Sequence, residues 1–123
     1  MDEIVRTAVG ELNRAMRDRD PAVAELFLSD ALLVGSEPGE VARGRTAIAA
    51  LLGAIHAMDY TVWWDLPQLD SGGNDQQVWF FAEGDVVLAG AQKRRLPYRI
   101  SGTLARTEAG WRWTLFHGSE PRR

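Results

Sequence analysis

At 123 residues the chain suits a single domain spanning 1–123, large enough for a substantial core and too short for two comfortable ones. Hydrophobic residues at 46% and charged residues at 25% exclude a disordered or membrane-embedded class. A net charge of −3, with Lys93-Arg94-Arg95 as the one basic cluster, argues against a nucleic-acid partner.

There is no cysteine, which excludes disulfides, thiolate metal sites and cysteine nucleophiles and suits a reducing compartment. The acidic start Met1-Asp2-Glu3 is unlike a secretory signal, and no stretch is apolar enough to span a bilayer. The expected location is therefore cytoplasmic, with no membrane partner.

From Asp2 to about Arg17, apolar Ile4, Val5, Ala8, Leu12, Ala15 and Met16 recur at three- and four-residue spacing, which predicts an amphipathic helix. Asp20-Pro21 then reads as an N-cap followed by a helix-opening proline, with Val23, Leu26 and Phe27 on the buried side of a second, short helix. The pair carries no basic recognition face, so DNA binding through it is not expected. Residues 30–35 read as a short buried strand, 36–40 as a turn and 41–43 as a short return strand.

After Gly44, the series Ile48, Leu51, Leu52, Ile55 and Met58 predicts a third helix, with His56 one position off its apolar stripe. Four long strands follow, at about 59–69, 76–89, 92–107 and 110–119, separated by 71–75, 89–91 and 108–110. Such short connections predict sequential antiparallel pairing, and strands of this length imply a curved sheet. Helices first and a strand meander after is the order of an α+β domain whose helices cover one sheet face, leaving the other to pair with a second copy.

Chemistry-bearing residues gather toward strand ends. Counted with period two, Trp111, Trp113, Leu115, His117 and Ser119 share one side of the last strand, so that an apolar face ends in an imidazole and a hydroxyl. An imidazole can donate or accept at either nitrogen, which suits His117 to proton transfer, or else it satisfies core partners as a structural histidine. Glu83 follows Trp79 and Phe81 on one parity. It is either a buried carboxylate tuned for acid/base work or an ion-pair partner of Arg99 or Arg94.

In the strand from 94 to 104, Leu96, Tyr98, Ile100 and Leu104 share one side, although Pro97 signals a bulge or an open edge that can switch the parity. Ser119 lies two residues from His117 without a nucleophile elbow, which argues against hydrolase chemistry of the serine-triad kind. The two histidines, His56 and His117, are far apart and have no carboxylates at ligand spacing, so no metal is expected. No phosphate-cradling glycine loop is present.

The order of elements, the opening Gly44-Arg45-Thr46-Ala47-Ile48, and the ending Gly110-Trp111-Arg112-Trp113 through Phe116-His117-Gly118-Ser119 resemble SnoaL-like proteins of the nuclear transport factor 2-like superfamily. The resemblance implies a cone-shaped, cystatin-like α+β fold, with a curved antiparallel sheet wrapped around three N-terminal helices to leave a pocket. It also implies a homodimer through the outer sheet face.

The resemblance places His117 and Ser119 near the pocket and strand parity adds Trp63, Trp79, Glu83, Tyr98 and Arg99; Trp63, Trp79, Tyr98, Arg99 and Ser119 are the expected ligand-binding positions, with His117 or Glu83 as the catalytic acid/base group. The expected function is binding of a small, largely apolar organic molecule without a cofactor, with isomerase-, cyclase- or dehydratase-type proton transfer. The alternative is a non-catalytic ligand-binding or dimerisation module.

Overall fold

The computed structural model describes residues 1–121, from helix α1 at Asp2–Arg17 to the residues just beyond the last strand. Val5, Ala8, Leu12, Ala15 and Met16 are buried along one face of α1, as the spacing predicts. Asp2 and Glu3 sit in its first turn, with Arg14 and Arg17 in its last, complementing the helix dipole.

The second helix shrinks to one 3-10 turn, Val23–Leu26. Instead of capping an α-helix, the Asp20 carboxylate accepts the Ala22 N–H at 2.9 Å while its carbonyl accepts the Val23 N–H at 3.1 Å, a local turn. Phe27, fully buried, is already extended and opens β1, Phe27–Val34. β2 is Val41–Arg43, and α2, Arg45–His56, buries Ile48 and Leu52. The Arg45 guanidinium donates twice to the Phe27 carbonyl, at 2.7 and 3.1 Å, fixing the start of α2 on β1.

Four strands complete the chain: β3, Thr61–Gly73; β4, Gln77–Ala89; β5, Lys93–Thr107; and β6, Gly110–Ser119. The sheet order is β2-β1-β6-β5-β4-β3, with β3 to β6 pairing in sequence and β1 running parallel to β6. β3 continues through Ser71-Gly72-Gly73, and the turn before β4 is tighter than expected. There Asn74 Oδ1 accepts the N–H groups of Gln76 and Gln77 at 2.8 and 3.0 Å.

Register shifts curl the sheet into a cone, one on β1 between Phe27 and Leu32 and one each on β3 and β6. On β3, Leu66 and Pro67 lie between the pairs Asp65–Asp85 and Gln68–Glu83, opposite the single residue Gly84. A Cβ at Gly84 would collide with the Asp65 carbonyl and lie 2.9 Å from Leu66 Cα, so glycine lets the two strands close at the bend. On β6, Thr103 pairs with Leu115 while Leu104 pairs with Trp113, which leaves Thr114 as the extra residue, its hydroxyl bonded to Thr103.

β5 shows no register shift at Pro97. β6 ends opposite Arg99, so Pro97 occupies a stretch with an open flank where a ladder donor is not needed on that side. The core sits between the concave face and the helices. Trp113 packs against Phe27, Phe80 and Phe116 at ring-centroid distances of 6.1, 5.5 and 5.5 Å. No helix among the described residues is long and apolar enough to cross a membrane.

Candidate functional site

The bulge at Thr114 decides which side of the sheet the ending of β6 serves. Strict alternation would carry Trp113, Leu115, His117 and Ser119 to one face. With one residue inserted, Trp113 and Phe116 are buried together and Gly118 follows them inward, where a Cβ would collide with the Tyr98 hydroxyl. His117 and Ser119 are exposed on the opposite, convex face. The expectation that they line the pocket is corrected by this one-residue shift.

Glu83 and Arg99 also lie on the convex face, joined by an ion pair of 2.9 Å with both side chains nearly half exposed. Trp79, at 51% exposure, projects from the same face beside Phe81. Trp63 sits at the β3 edge beneath the Arg17 guanidinium, 3.8 Å from the ring centroid, and borders a cleft between α1 and β3. Glu83, Arg99 and Trp79 are corrected too, because parity along β4 and β5 turns them away from the concave face that Val78, Phe80, Ala82, Tyr98 and Ile100 occupy, and Trp63 on β3, paired with Val87, has the same outward parity and reaches only the edge cleft.

Tyr98 is the sequence-predicted binding residue that does face the concave side. It borders a bowl of about 300 Å³ whose apolar wall comes from Val62, Val86, Leu88 and Leu96 on the sheet and Ile55 on α2. The polar rim is made by Ser36, Glu37 and Glu40 from the β1–β2 turn, with Arg94, Tyr60 and Glu120. Below it lies an inner chamber of about 40 Å³ between α1, α2 and the sheet, bordered by Met16, Phe27, Leu52, Trp64 and Phe116 among others. Bowl and chamber share Glu40, Ile55 and Val62 as walls, so Glu40 stands where one gives onto the other.

Glu40 is held there by its own turn. Its Oε1 accepts the Glu37 N–H at 2.9 Å and lies against Gly35, whose N–H donates to the Glu40 carbonyl at 2.7 Å. The second carboxylate oxygen has no protein hydrogen bond among the described residues. Tyr98 is held above the usual phenol range, chiefly by burial; the Ser36 side-chain hydrogen bond comes next and opposes it, and the charges of Glu40, Glu120 and Glu37 add to the rise. Its hydroxyl therefore stays protonated through neutral pH and is available as a donor.

Trp64 is 8% exposed, with its ring 5.3 Å from Phe116 and 6.3 Å from Tyr98, and its Nε1 is buried with no partner. His56 also has a buried, unpartnered Nε2, at the end of α2 and away from these spaces. Among the described residues no three His, Asp or Glu side chains are placed to hold a metal ion.

A family model for the SnoaL-like domain matches residues 5–123. The chain belongs to the SnoaL-like family. Several crystal structures share its fold. A proposed dehydratase of the nuclear transport factor 2-like family from Streptomyces avermitilis is 19% identical with a TM-score of 0.82, the match covering 98% of this chain and 96% of that one.

A nuclear transport factor 2-like protein with a cystatin-like fold from Novosphingobium aromaticivorans is 20% identical with a TM-score of 0.77, covering 97% and 80%. ActVI-ORFA from Streptomyces coelicolor is 18% identical with a TM-score of 0.78, covering 94% of each chain. Identities this low establish the shared fold and leave the chemistry to the site. No curated protein matches the sequence.

The SnoaL-like frame agrees with the resemblance read from the sequence and with the cone-shaped α+β fold. Sequence reasoning missed Glu40 and Trp64. Glu40 lies in a segment read as a turn, and only the folding of that turn over the sheet brings it to the bowl. Trp64 follows Trp63 directly, and nothing in the sequence around them distinguishes the one from the other.

Proposed function

We propose that this SnoaL-like protein binds a small, largely apolar organic molecule on the concave face of the sheet and moves a proton on it, with Glu40 as the acid/base group and Tyr98 as a neutral donor to developing negative charge. The observation that carries this is the bowl itself: apolar walls, a polar rim, and one carboxylate held at the opening of the inner chamber. Proton transfer beside an activated carbonyl needs a base and an oxyanion donor, and no cofactor enters the scheme. His117 and Glu83, exposed across the sheet, are not part of it.

The test is thermal-shift screening with compact aromatic and alicyclic ketones, followed by NMR of deuterium exchange at the ligand α-carbon in deuterated buffer. Leu96→Trp should fill the bowl and abolish the shifts, while Glu40→Gln should retain binding and lose exchange. Binding unaffected by Leu96→Trp would place the ligand elsewhere. Exchange unaffected by Glu40→Gln would remove the carboxylate from the chemistry.

The convex face favours a second property alongside the first, a homodimer. Trp79 at 51% exposure and Phe81 at 40% are two large rings side by side on a face without helices, which suits a second copy of the chain. The absence of cysteine fits the proposed cytoplasmic setting.

A further inference from the structure

Arg94 stands on the concave parity of β5, where its neighbours on that side are apolar or aromatic. The alternation runs Arg94, Leu96, Tyr98, Ile100, with Tyr98 and Ile100 buried. The register sets Arg94 against Leu88 and Leu96 against Val86, and both partners are wall residues of the bowl. Arg94 borders the bowl with them, the one cationic residue to do so among the described residues.

No described residue takes up this charge. The ion pairs among the described residues use Arg14, Arg95 and Arg99, and Arg94 enters none of them. Arg95, next in the chain but on the convex face, is held by Asp65 and Asp85 at 2.9 and 3.3 Å. Asp59 borders an outer groove together with Arg94 and makes no ion pair with it. A guanidinium offers its N–H donors in a planar fork and accepts nothing, so its complement is a planar pair of oxygens, above all a carboxylate.

The bowl is polarised along β5. Its carboxylates belong to the Tyr98 end, since the charges felt at the Tyr98 hydroxyl are those of Glu40, Glu120 and Glu37. Four residues of extended strand separate Tyr98 from Arg94, about 13 Å at roughly 3.3 Å per residue. Leu96 lies between them as an apolar floor. That separation exceeds the Debye length of about 10 Å at 0.1 M salt, so the carboxylates at one end weigh little on an anion held in contact at the other. One fork matches one carboxylate, whereas a dianion would face a single guanidinium in an otherwise acidic rim.

We infer that Arg94 is the anion-recognising residue of the bowl, and that the ligand is a ring-bearing ketone with a single carboxylate at the end remote from its carbonyl. The inference rests on the bowl being the binding site and adds the charge of the ligand and the direction in which it lies. The carboxylate seats on the Arg94 fork, the ring covers Leu96, and the carbonyl reaches the Tyr98 hydroxyl with its α-carbon toward Glu40. Beyond Tyr60, Leu88 and Arg94 the bowl gives onto the outer groove, about 440 Å³, which shares those three residues as walls. The carboxylate end is therefore the open end, and a short chain between ring and charge has room there.

The experiment compares 3-(4-acetylphenyl)propanoate with its primary amide, which share ring, ketone and length and differ by the charge. Affinities are measured by calorimetry at low and high ionic strength, on the unaltered protein, Arg94→Gln and Arg95→Gln. We expect the unaltered protein to bind the acid about five- to ten-fold more tightly than the amide at low salt, the advantage of one charge-assisted pair. Added salt should shrink the difference, because the Arg94 end is open to solvent.

Arg94→Gln should bring the acid down to the affinity of the amide and leave the amide unchanged. Arg95→Gln, which removes the same charge from the opposite face, should keep the preference. Equal binding of acid and amide by the unaltered protein, a preference that survives in Arg94→Gln, or one lost to the same extent in Arg95→Gln overturns the assignment while leaving the bowl as the site. Acid binding that persists when Leu96→Trp fills the bowl puts the anion outside it and overturns the proposed orientation. Failure of both compounds to bind overturns the bowl reading and this inference with it.

Discussion

The His56 imidazole closes α2 with Nε2 buried and without a partner, and its pKa is held below the ordinary 6.5, first by burial and then by the Arg19 charge, with Asp20 opposing. In the unfolded chain that histidine recovers its ordinary affinity for a proton. As pH falls through 6.5 the unfolded state therefore takes up the proton first, and stability is lost progressively toward the lower folded value. Thermal melts from neutral pH down to about pH 5 should show a decline that His56→Gln flattens; parallel curves would mean that the burial cost is relieved some other way.

At the same scale, Gly84→Ala forces a methyl group into the Asp65 carbonyl at the β3 bend. A loss of about 1–3 kcal/mol is expected in urea unfolding. Unchanged stability would show that the bend opens without cost.

Between residue and molecule, the elements show what a period-two count can and cannot carry. Leu96, Tyr98, Ile100 and Leu104 were readable as one face because β5 keeps its register against β4 from Lys93 to Ala105, past Pro97. The count failed at Thr114, where one inserted residue reverses the face of everything after it. No glycine or proline marks that insertion; it follows from the need of Trp113 and Phe116 to meet the same core, a tertiary demand that leaves no local signature. The β3 bulge, by contrast, falls at Pro67, a residue that visibly disturbs a strand.

The meander was legible because its connections are short and polar, whereas the bowl was not, since its rim comes from the β1–β2 turn lying over strands more than forty residues away. β3 is an edge strand, and α1 covers it. The Asn13 amide stands in for a neighbouring strand at Trp64, and Arg6 donates to the Leu66 and Pro67 carbonyls at 3.2 and 3.3 Å. Asn13→Ala removes both partners of one residue's main chain and should cost about 1–3 kcal/mol, with faster hydrogen exchange confined to β3. Exchange that rises evenly across the sheet would assign Asn13 to global stability.

For the whole molecule, the sheet is a wall with a different use on each side. Across its convex face the register lines up Val34, His117, Ser101, Phe81 and Asp70 in one row and Leu32, Leu115, Thr103 and Trp79 in the next. The middle of the face is thus apolar side chains interleaved with hydroxyls and one imidazole. Toward one end, Glu83–Arg99 and Asp65–Arg95–Asp85 pair within the chain at 2.9–3.3 Å, three carboxylates against two guanidiniums, so most of the charge there is met internally. A second copy related by a two-fold axis would cover the rings of Trp79 and Phe81, and it would place His117 beside the interface, not in the ligand site.

Sedimentation equilibrium should report a dimer, and the double substitution Trp79→Glu, Phe81→Glu should yield a folded monomer, because carboxylates cannot be buried there unpaired. Val78, Phe80 and Ala82 face the other way on the same strand, so that monomer should still bind the ketones that the unaltered protein binds. A monomer in the unaltered protein would refute the interface, and loss of ketone binding on monomerisation would mean that the two faces are coupled through β4.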